Sequence, residues 1–249
     1  MQQQKQYKIL LIGESCIDEY VYGSCERLNP EAPVPVLNYI KTKTNNGMAW
    51  NVKENLSSFG CKVDMITNEE KIIKTRYIDK KSNQQILRVD KEQYVSSMNH
   101  ELPNKNYDAL VISDYDKGFI TTEKIFDLTK QFDKPIFIDS KKTILPTENC
   151  FLKINDNEYK KLKNPSDNVI VTKGDIGAEY KGKLYPSQKV NIFDVVGAGD
   201  TFLAALVVFY LKHAKIEDAI PFANKAAAIA VQHTGTYVLN LDDINEICN

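Results

Sequence analysis

The chain has 249 residues, 43% hydrophobic and 26% charged, enough for one large buried core or two small ones. A net charge of -1 provides no long-range field to draw nucleic acid or an anionic membrane. No stretch approaches the roughly 18 apolar residues of a membrane span, and the scattered Cys16, Cys25, Cys61, Cys150 and Cys248 form no zinc knuckle or disulfide framework by spacing.

The polar start, Met1-Gln2-Gln3-Gln4-Lys5, lacks the apolar core of a signal peptide, which together with the cysteine usage predicts a cytoplasmic protein. Residues 8–12 are a short apolar run closed by Gly13, the pattern of a buried strand. Residues 34–40 follow a proline-rich approach, so they suit an edge or lid strand, where a missing N–H does no harm. Residues 49–59 read as a helix capped by Gly60, and 63–67 as another strand. Residues 72–79 and 84–90, separated by Lys80-Lys81-Ser82-Asn83, resemble a polar-faced hairpin. Strands are then expected at 110–113, 135–139, 152–154 and 169–172, alternating with helices at 122–132 and 156–162. An apolar helix follows Gly199 as far as 211, another covers 216–233, and a short one lies near Asp242. Buried strands alternating with helices predict an α/β fold: a doubly wound, mostly parallel sheet with helices on both faces. The segments 34–40 and 72–90 are expected to form a small β lid on a single domain of residues 1–249.

Ligands on such sheets bind beyond the carboxyl ends of the strands. Asp18, Asp114, Asp139, Lys141, Asn155, Glu158, Thr172 and Gly174 all fall at such ends, which suggests a shared cleft. The most informative string is Asp194-Val195-Val196-Gly197-Ala198-Gly199-Asp200-Thr201, running straight into an apolar helix. Small residues let backbone N–H groups approach a ligand, and a helix start favours an anion such as phosphate. Asp200 among those donors is a poor phosphate ligand but a suitable base for the proton of an attacking hydroxyl. The same short string also fits an ordinary turn followed by an acid that complements the helix dipole. Polar residues at successive strand ends favour the first reading.

These residues resemble those of the ribokinase-like (pfkB-type) carbohydrate kinases. A narrower similarity, to the kinase domain of the bifunctional heptose 7-phosphate kinases/heptose 1-phosphate adenylyltransferases, rests on three strings. They are Arg27-Leu28-Asn29-Pro30-Glu31-Ala32-Pro33-Val34-Pro35-Val36, Asn83-Gln84-Gln85-Ile86-Leu87-Arg88-Val89-Asp90 and Ser113-Asp114-Tyr115-Asp116-Lys117-Gly118. The resemblance runs from about Tyr7 onward. It implies a ribokinase-like fold and transfer of the ATP γ-phosphate to a sugar hydroxyl, with Mg²⁺, the acceptor being a heptose 7-phosphate at its anomeric hydroxyl. It implies Asp200 as the base and Gly197, Ala198 and Gly199 as the anion hole. Asn155 and Glu158 match a motif that organises Mg²⁺ and phosphate, partly through water. Thr172 and Gly174 match the loop beside the nucleotide phosphates, and Asn224 a position near the adenine. Asp18, Gly47, Asn51 and Lys141 match the sugar side. The family also implies a homodimer paired through the lid, and with no adenylyltransferase segment read after Asn249 a stand-alone kinase is expected.

Other readings stay open beside these. The acceptor could be another sugar, sugar phosphate or nucleoside, or the chain could be a non-catalytic binding protein on a kinase scaffold. Asp18 could stabilise a turn, Glu158 could face solvent, Lys141 and Lys142 could be solvated, and Asn224 could serve packing. Arg27, Arg76 and Arg88 fit either a sugar phosphate or a surface; Trp50 fits either the core or the sugar. His213 and His233 read as structural. Five departures stand out, the last the largest. Met48 follows Gly47 where a second glycine is usual, Trp50 precedes Asn51, Glu14 stands where Asp is common, and Ser140 replaces a proline before Lys141. Between Thr67 and Lys74 the chain is shorter than the family pattern by on the order of 30–40 residues, enough to remove a helix-containing unit.

Overall fold

The first apolar run becomes strand β1 (Lys8–Gly13), buried from Ile9 onward because the sheet around it is covered on both faces. The computed structural model describes residues 5–248 apart from 93, 100, 104, 105 and 147. After β1 come β2 (Ser15–Leu28), β3 (Pro35–Met48), α1 (Ala49–Ser58), β4 (Lys62–Ile66), β5 (Ile73–Asp79) and β6 (Gln84–Lys91). The second half adds β7 (Ala109–Asp114), α2 (Thr122–Gln131), β8 (Ile136–Ser140), β9 (Phe151–Asn155), α3 (Asp156–Tyr159), β10 (Val169–Thr172), β11 (Gly177–Tyr180) and β12 (Lys183–Pro186). Three helices close the chain: α4 (Ala198–His213), α5 (Ile216–Ala230) and α6 (Leu241–Cys248).

Among the described residues these strands make an eight-stranded sheet, β12-β11-β10-β9-β8-β7-β1-β4, and a four-stranded one, β3-β2-β5-β6. In the larger sheet, β4, β1, β7, β8, β9 and β10 are parallel to their neighbours, while β11 and β12 form an antiparallel edge. Side chains of β1 alternate: Ile9 and Leu11 join a core with α1, α4 and α5, whereas Leu10 and Ile12 face a second core that includes Ile125 and Leu128 of α2. Helices thus cover both faces, as expected. Helix α4 is apolar nearly all round, and its residues 200–209 are all buried.

The segments 34–40, 72–79 and 84–90 lie in the smaller sheet, where the lid was expected. Its strand β2, 14 residues like β3, was not foreseen. Its polar residues disguise it, because one side is half-buried and Asp18, Glu19 and Glu26 interrupt the apolar alternation. The β11–β12 hairpin was also missed. It turns on Lys181 and Gly182, both at positive φ (49° and 72°), as tight hairpins require. Helix α3 is a single turn rather than 156–162, and α5 stops at Ala230 short of His233, where the chain bends. The connection from β4 to β5 is only residues 67–72. Asn68 makes it possible by substituting for a strand partner: its Oδ1 accepts from Ser15 N at 2.7 Å and its Nδ2 donates to Glu70 O at 2.6 Å. Among the described residues no helix is long and apolar enough to cross a membrane.

Candidate active site

The turn into α4 brings the key carboxylate into place. Gly197 has φ 78°, and a Cβ there would meet Asn51 Nδ2 at 2.6 Å, so only glycine fits both the backbone and the neighbour. One turn on, Asp200 is 4% exposed. Tyr115 donates its phenol O–H to Asp200 Oδ1 at 2.7 Å, and Asn51 donates Nδ2–H to Oδ2 at 3.1 Å. Burial pushes the Asp200 carboxyl up to about 6, opposed by those two hydrogen bonds. Asn51 is itself held by Asn55, one turn along α1, which donates to Asn51 Oδ1 at 3.1 Å and to Tyr237 O at 3.1 Å. This amide ladder leaves the Asn51 NH₂ turned toward Asp200.

Opposite the turn, Lys153 rises from β9. It pairs with Asp139 Oδ2 at 2.6 Å, and its ammonium would lie 2.9 Å from a Cβ on Gly199. Burial opposes its charge, but Asp139 and Asp200 hold its pKa above the ordinary lysine value. Asp114, Tyr115, Lys141, Asn155, Glu158 and Gly197 complete the lining of this pocket of about 160 Å³. Gly199 also borders a second, larger cavity of about 450 Å³, walled by apolar Val190, Ile192, Ala227 and Val231 and reaching Thr172, Gly174 and Asn224. The two spaces meet at the glycine turn.

On the larger cavity's side, the structure brings Thr172, Gly174 and Asn224 together. Gly174 has φ 61°, with open space where a Cβ would project. Asn224 directs its amide N–H groups to Tyr185 O at 2.8 Å and Pro186 O at 3.3 Å, so it is a wall residue that pins β12. Asn155 and Glu158 form a reciprocal cap on α3, with Asn155 Oδ1 accepting from Glu158 N at 2.9 Å and Glu158 Oε2 accepting from Asn155 N at 2.8 Å. Among the described residues no group of three or more His, Cys, Asp or Glu is poised to hold a metal. That donor set suits a hard cation held chiefly by phosphate oxygens and water, with Glu158 alongside.

The expected sugar side is closed. Asp18 is buried and paired with Arg76 of β5, which also lies over the Tyr20 ring. Gly47 is needed because a Cβ would fall 2.1 Å from Asp18 Oδ2. Met48 keeps a backbone that favours glycine, φ 59° and ψ -132°, and buries its side chain in the second core. Asn51 is 0% exposed. Lys141 stays exposed with its ammonium 4.6 Å from the Tyr115 ring centroid, whereas Lys142 pairs with Asp114 and Asp116. Trp50 is half-buried under Lys53, at 4.1 Å. His213 stacks against Phe209 and Phe222, and His233 stacks on Tyr237.

Sequence reasoning missed Tyr115 and Lys153. Lys153 carried a signal: it is a lone cation inside the apolar run Phe151-Leu152-Lys153-Ile154, a place where an unpaired charge is too costly to bury. Tyr115 carried only its place in the string Ser113-Asp114-Tyr115-Asp116-Lys117-Gly118, which gave it no role, since that role depends on a loop meeting a helix 85 residues away.

Comparison with known proteins follows the same lines. Residues 152–243, which hold Lys153, Asn155, Glu158 and the glycine turn, match the description "pfkB family carbohydrate kinase". The bifunctional protein HldE of one Helicobacter pylori strain is 32% identical over 97% of this chain and 67% of its own length. The chain belongs to the pfkB family of carbohydrate kinases. It is therefore a phosphotransferase with an alcohol group as acceptor. The HldE of a Nitratiruptor species is 33% identical over 96% of this kinase, which spans only 64% of that relative's length. That alignment runs over 297 residues against a chain of 249, so the relative holds residues within the matched span that this kinase lacks. Among solved structures, phosphofructokinase-2 from Escherichia coli, in complex with potassium, matches with TM-score 0.74 at 16% identity, over 97% of this chain and 98% of that one. Ribokinase from Thermotoga maritima matches with TM-score 0.70 at 18% identity, over 97% and 99%. These two likenesses establish the ribokinase-like fold.

Proposed function

We propose that this kinase transfers the γ-phosphate of ATP to the anomeric hydroxyl of a heptose 7-phosphate, with Mg²⁺. The observation that carries the reading is the buried Asp200 carboxylate at the start of α4, flanked by the glycine turn and Lys153 where two cavities meet. The larger cavity has the volume and apolar walls for a nucleoside. Asn155 and Glu158 would hold Mg²⁺, partly through water, and Mg²⁺ supplies charge neutralisation between nucleotide phosphates. Thr172 and Gly174 border the phosphates, and Asn224 walls the base. Asp18, Gly47, Asn51 and Lys141 form the acceptor side, which requires the small sheet to move away from its closed position.

Asp200, ionised above about pH 6, takes the proton of the acceptor hydroxyl. The first-turn N–H groups of Gly199 and Asp200, unlike Ala198 N, which is bonded to Val195 O at 3.3 Å, would face the charge that develops on the transferring phosphoryl group. Lys153 adds a fixed positive charge on the same side. Exclusion of water by the closed sheet strengthens each of these interactions.

The heptose assignment rests on the Glu31-Ala32-Pro33-Val34-Pro35-Val36 and Asn83-Gln84-Gln85 strings and on likeness to the HldE proteins. The exposed apolar residues of the small sheet, Tyr39 and Leu87 among them, support a homodimer through the lid. The five free cysteines suit a reducing, cytoplasmic setting. ATP consumption by the purified protein, measured with heptose 7-phosphate, ribose, fructose and adenosine in parallel, tests the assignment. Heptose 7-phosphate is expected to give the highest kcat/KM. A preference for an unphosphorylated sugar or a nucleoside overturns the acceptor and leaves the family intact.

A further inference from the structure

The loop after β7 is built with unusual care for a surface connection. Glu14, the residue between β1 and β2, is completely buried. Its carboxylate accepts from the backbone N–H groups of Tyr115 at 2.7 Å, Lys117 at 3.2 Å and Phe119 at 3.2 Å. The loop bends through Asp116 and Gly118, at φ 57° and 105°. Asp116 N is also tied to Asp114 Oδ1 at 3.0 Å. An aspartate at position 14, one methylene shorter, reaches less far into this loop, which gives the glutamate a purpose.

What the loop presents is Tyr115. Its phenol O–H meets Asp200 Oδ1 at 2.7 Å, and the ammonium groups of Lys141 and Lys74 lie 4.6 Å and 5.6 Å from its ring centroid. We propose that Tyr115 is a positioning residue for the base: its phenol fixes the Asp200 carboxylate in one orientation and keeps it in the proton-accepting form. This rests on the reading of Asp200 as the base.

The physical argument has three parts. A carboxylate accepts a hydrogen bond more strongly than the neutral acid does, so the phenol favours ionised Asp200. Cations over the ring draw electron density from it and make the O–H a better donor. The phenol itself stays protonated, because burial, together with Asp200 and Asp139, raises its pKa well above the ordinary tyrosine value. With Oδ1 bound by Tyr115 and Oδ2 by Asn51, the carboxylate plane is set and each oxygen keeps a lone pair free for an acceptor hydroxyl. The other titratable groups facing Asp200 are Asp139 of β8, which raises its proton affinity, Lys153 of β9, which lowers it, and Cys16 of β2. None of these is altered by removing the phenol oxygen.

The test compares the native protein with Tyr115→Phe and with 3-fluorotyrosine incorporated at position 115, a stronger donor of nearly the same shape. Carboxyl carbons of labelled aspartates are followed by NMR against pH, the Asp200 signal being identified by its loss in Asp200→Asn. In the native protein it is expected to titrate near pH 6. Loss of one hydrogen bond to a charged group moves the midpoint about one pH unit higher in Tyr115→Phe, and fluorotyrosine moves it lower. The acid limb of kcat/KM with Mg-ATP and heptose 7-phosphate moves in the same directions, with the KM for ATP unchanged. Midpoints that coincide across the three proteins overturn the proposal. If Tyr115→Phe does not fold, the fluorotyrosine protein decides alone. Native turnover by Asp200→Asn overturns the base itself, an outcome independent of whether the Asp200 midpoint shifts.

Discussion

Asp200 shows how one side chain trades stability for chemistry. Its carboxyl is raised from the ordinary value of 3.8 to about 6 by burial. The folded protein therefore holds a proton that the unfolded chain has released between those values, and folding stability falls as pH rises through that window. A displacement of this size corresponds to ~3 kcal/mol once the group is fully ionised. Asp200→Asn is expected to match native thermal stability near pH 4 and to exceed it increasingly up to about pH 7. Unfolding midpoints measured at pH 4, 6 and 8 check this, and an Asn variant less stable at pH 8 than the native protein contradicts it. The same variant is expected to lose roughly 10²–10⁴ in kcat, the range for removing a general base. Gly197 offers a complementary case. Gly197→Ala forces a Cβ into the left-handed region, at about 1–2 kcal/mol, and pushes against Asn51 Nδ2 at 2.6 Å. Both stability and kcat are expected to fall, and a crystal structure of the variant is expected to show Asn51 displaced from Asp200.

Strands and helices differ in how openly the sequence announced them. Apolar runs such as Ile9-Leu10-Leu11-Ile12 and Val169-Ile170-Val171 declare buried parallel strands, and the glycine turn declares the start of α4. β2 stayed hidden because some of its residues serve polar contacts rather than the core: Asp18 to Arg76, Glu19 to Thr75. Periodicity registers burial, and it is blind to a strand stabilised by paired polar groups. The same limit applied to the site. Asp200 and Gly197 to Gly199 form a contiguous string, whereas Tyr115, Lys153 and Asn55 act across long separations that no local pattern records. The Asp18–Arg76 pair that hid β2 also bonds it to β5, with both side chains nearly out of solvent. Arg76→Met leaves a buried carboxylate uncompensated, a loss of about 3–5 kcal/mol. Denaturant unfolding of that variant is expected to show it, and the double variant with Asp18→Asn is expected to recover part of the loss.

Considered entire, the kinase is two sheets of unequal exposure. The larger is sealed by helices, while every residue of β6 and most of β3 are exposed. Tyr39 at 67% and Leu87 at 54% exposure leave an apolar face that a second copy would cover. Tyr39→Asp combined with Leu87→Asp is expected to give monomers by sedimentation velocity at micromolar concentration and to weaken acceptor affinity more than ATP affinity. A native protein that sediments as a fully active monomer refutes the pairing. The way the two sheets join carries a mechanical consequence. β1 passes into β2 through the single residue Glu14, α1 begins where Ala49 N bonds Glu14 O at 2.9 Å, and Asn68 clasps Ser15 beside them. These crossings sit together and make a narrow waist. Beyond it, β2 first lies against the body, with Cys16, Asp18 and Tyr20 buried, and its remaining eight residues, 21–28, continue into the small sheet, roughly 26 Å at ~3.3 Å per residue. Because Glu14 also anchors the loop that carries Tyr115, a swing at this point would shift the phenol that meets Asp200.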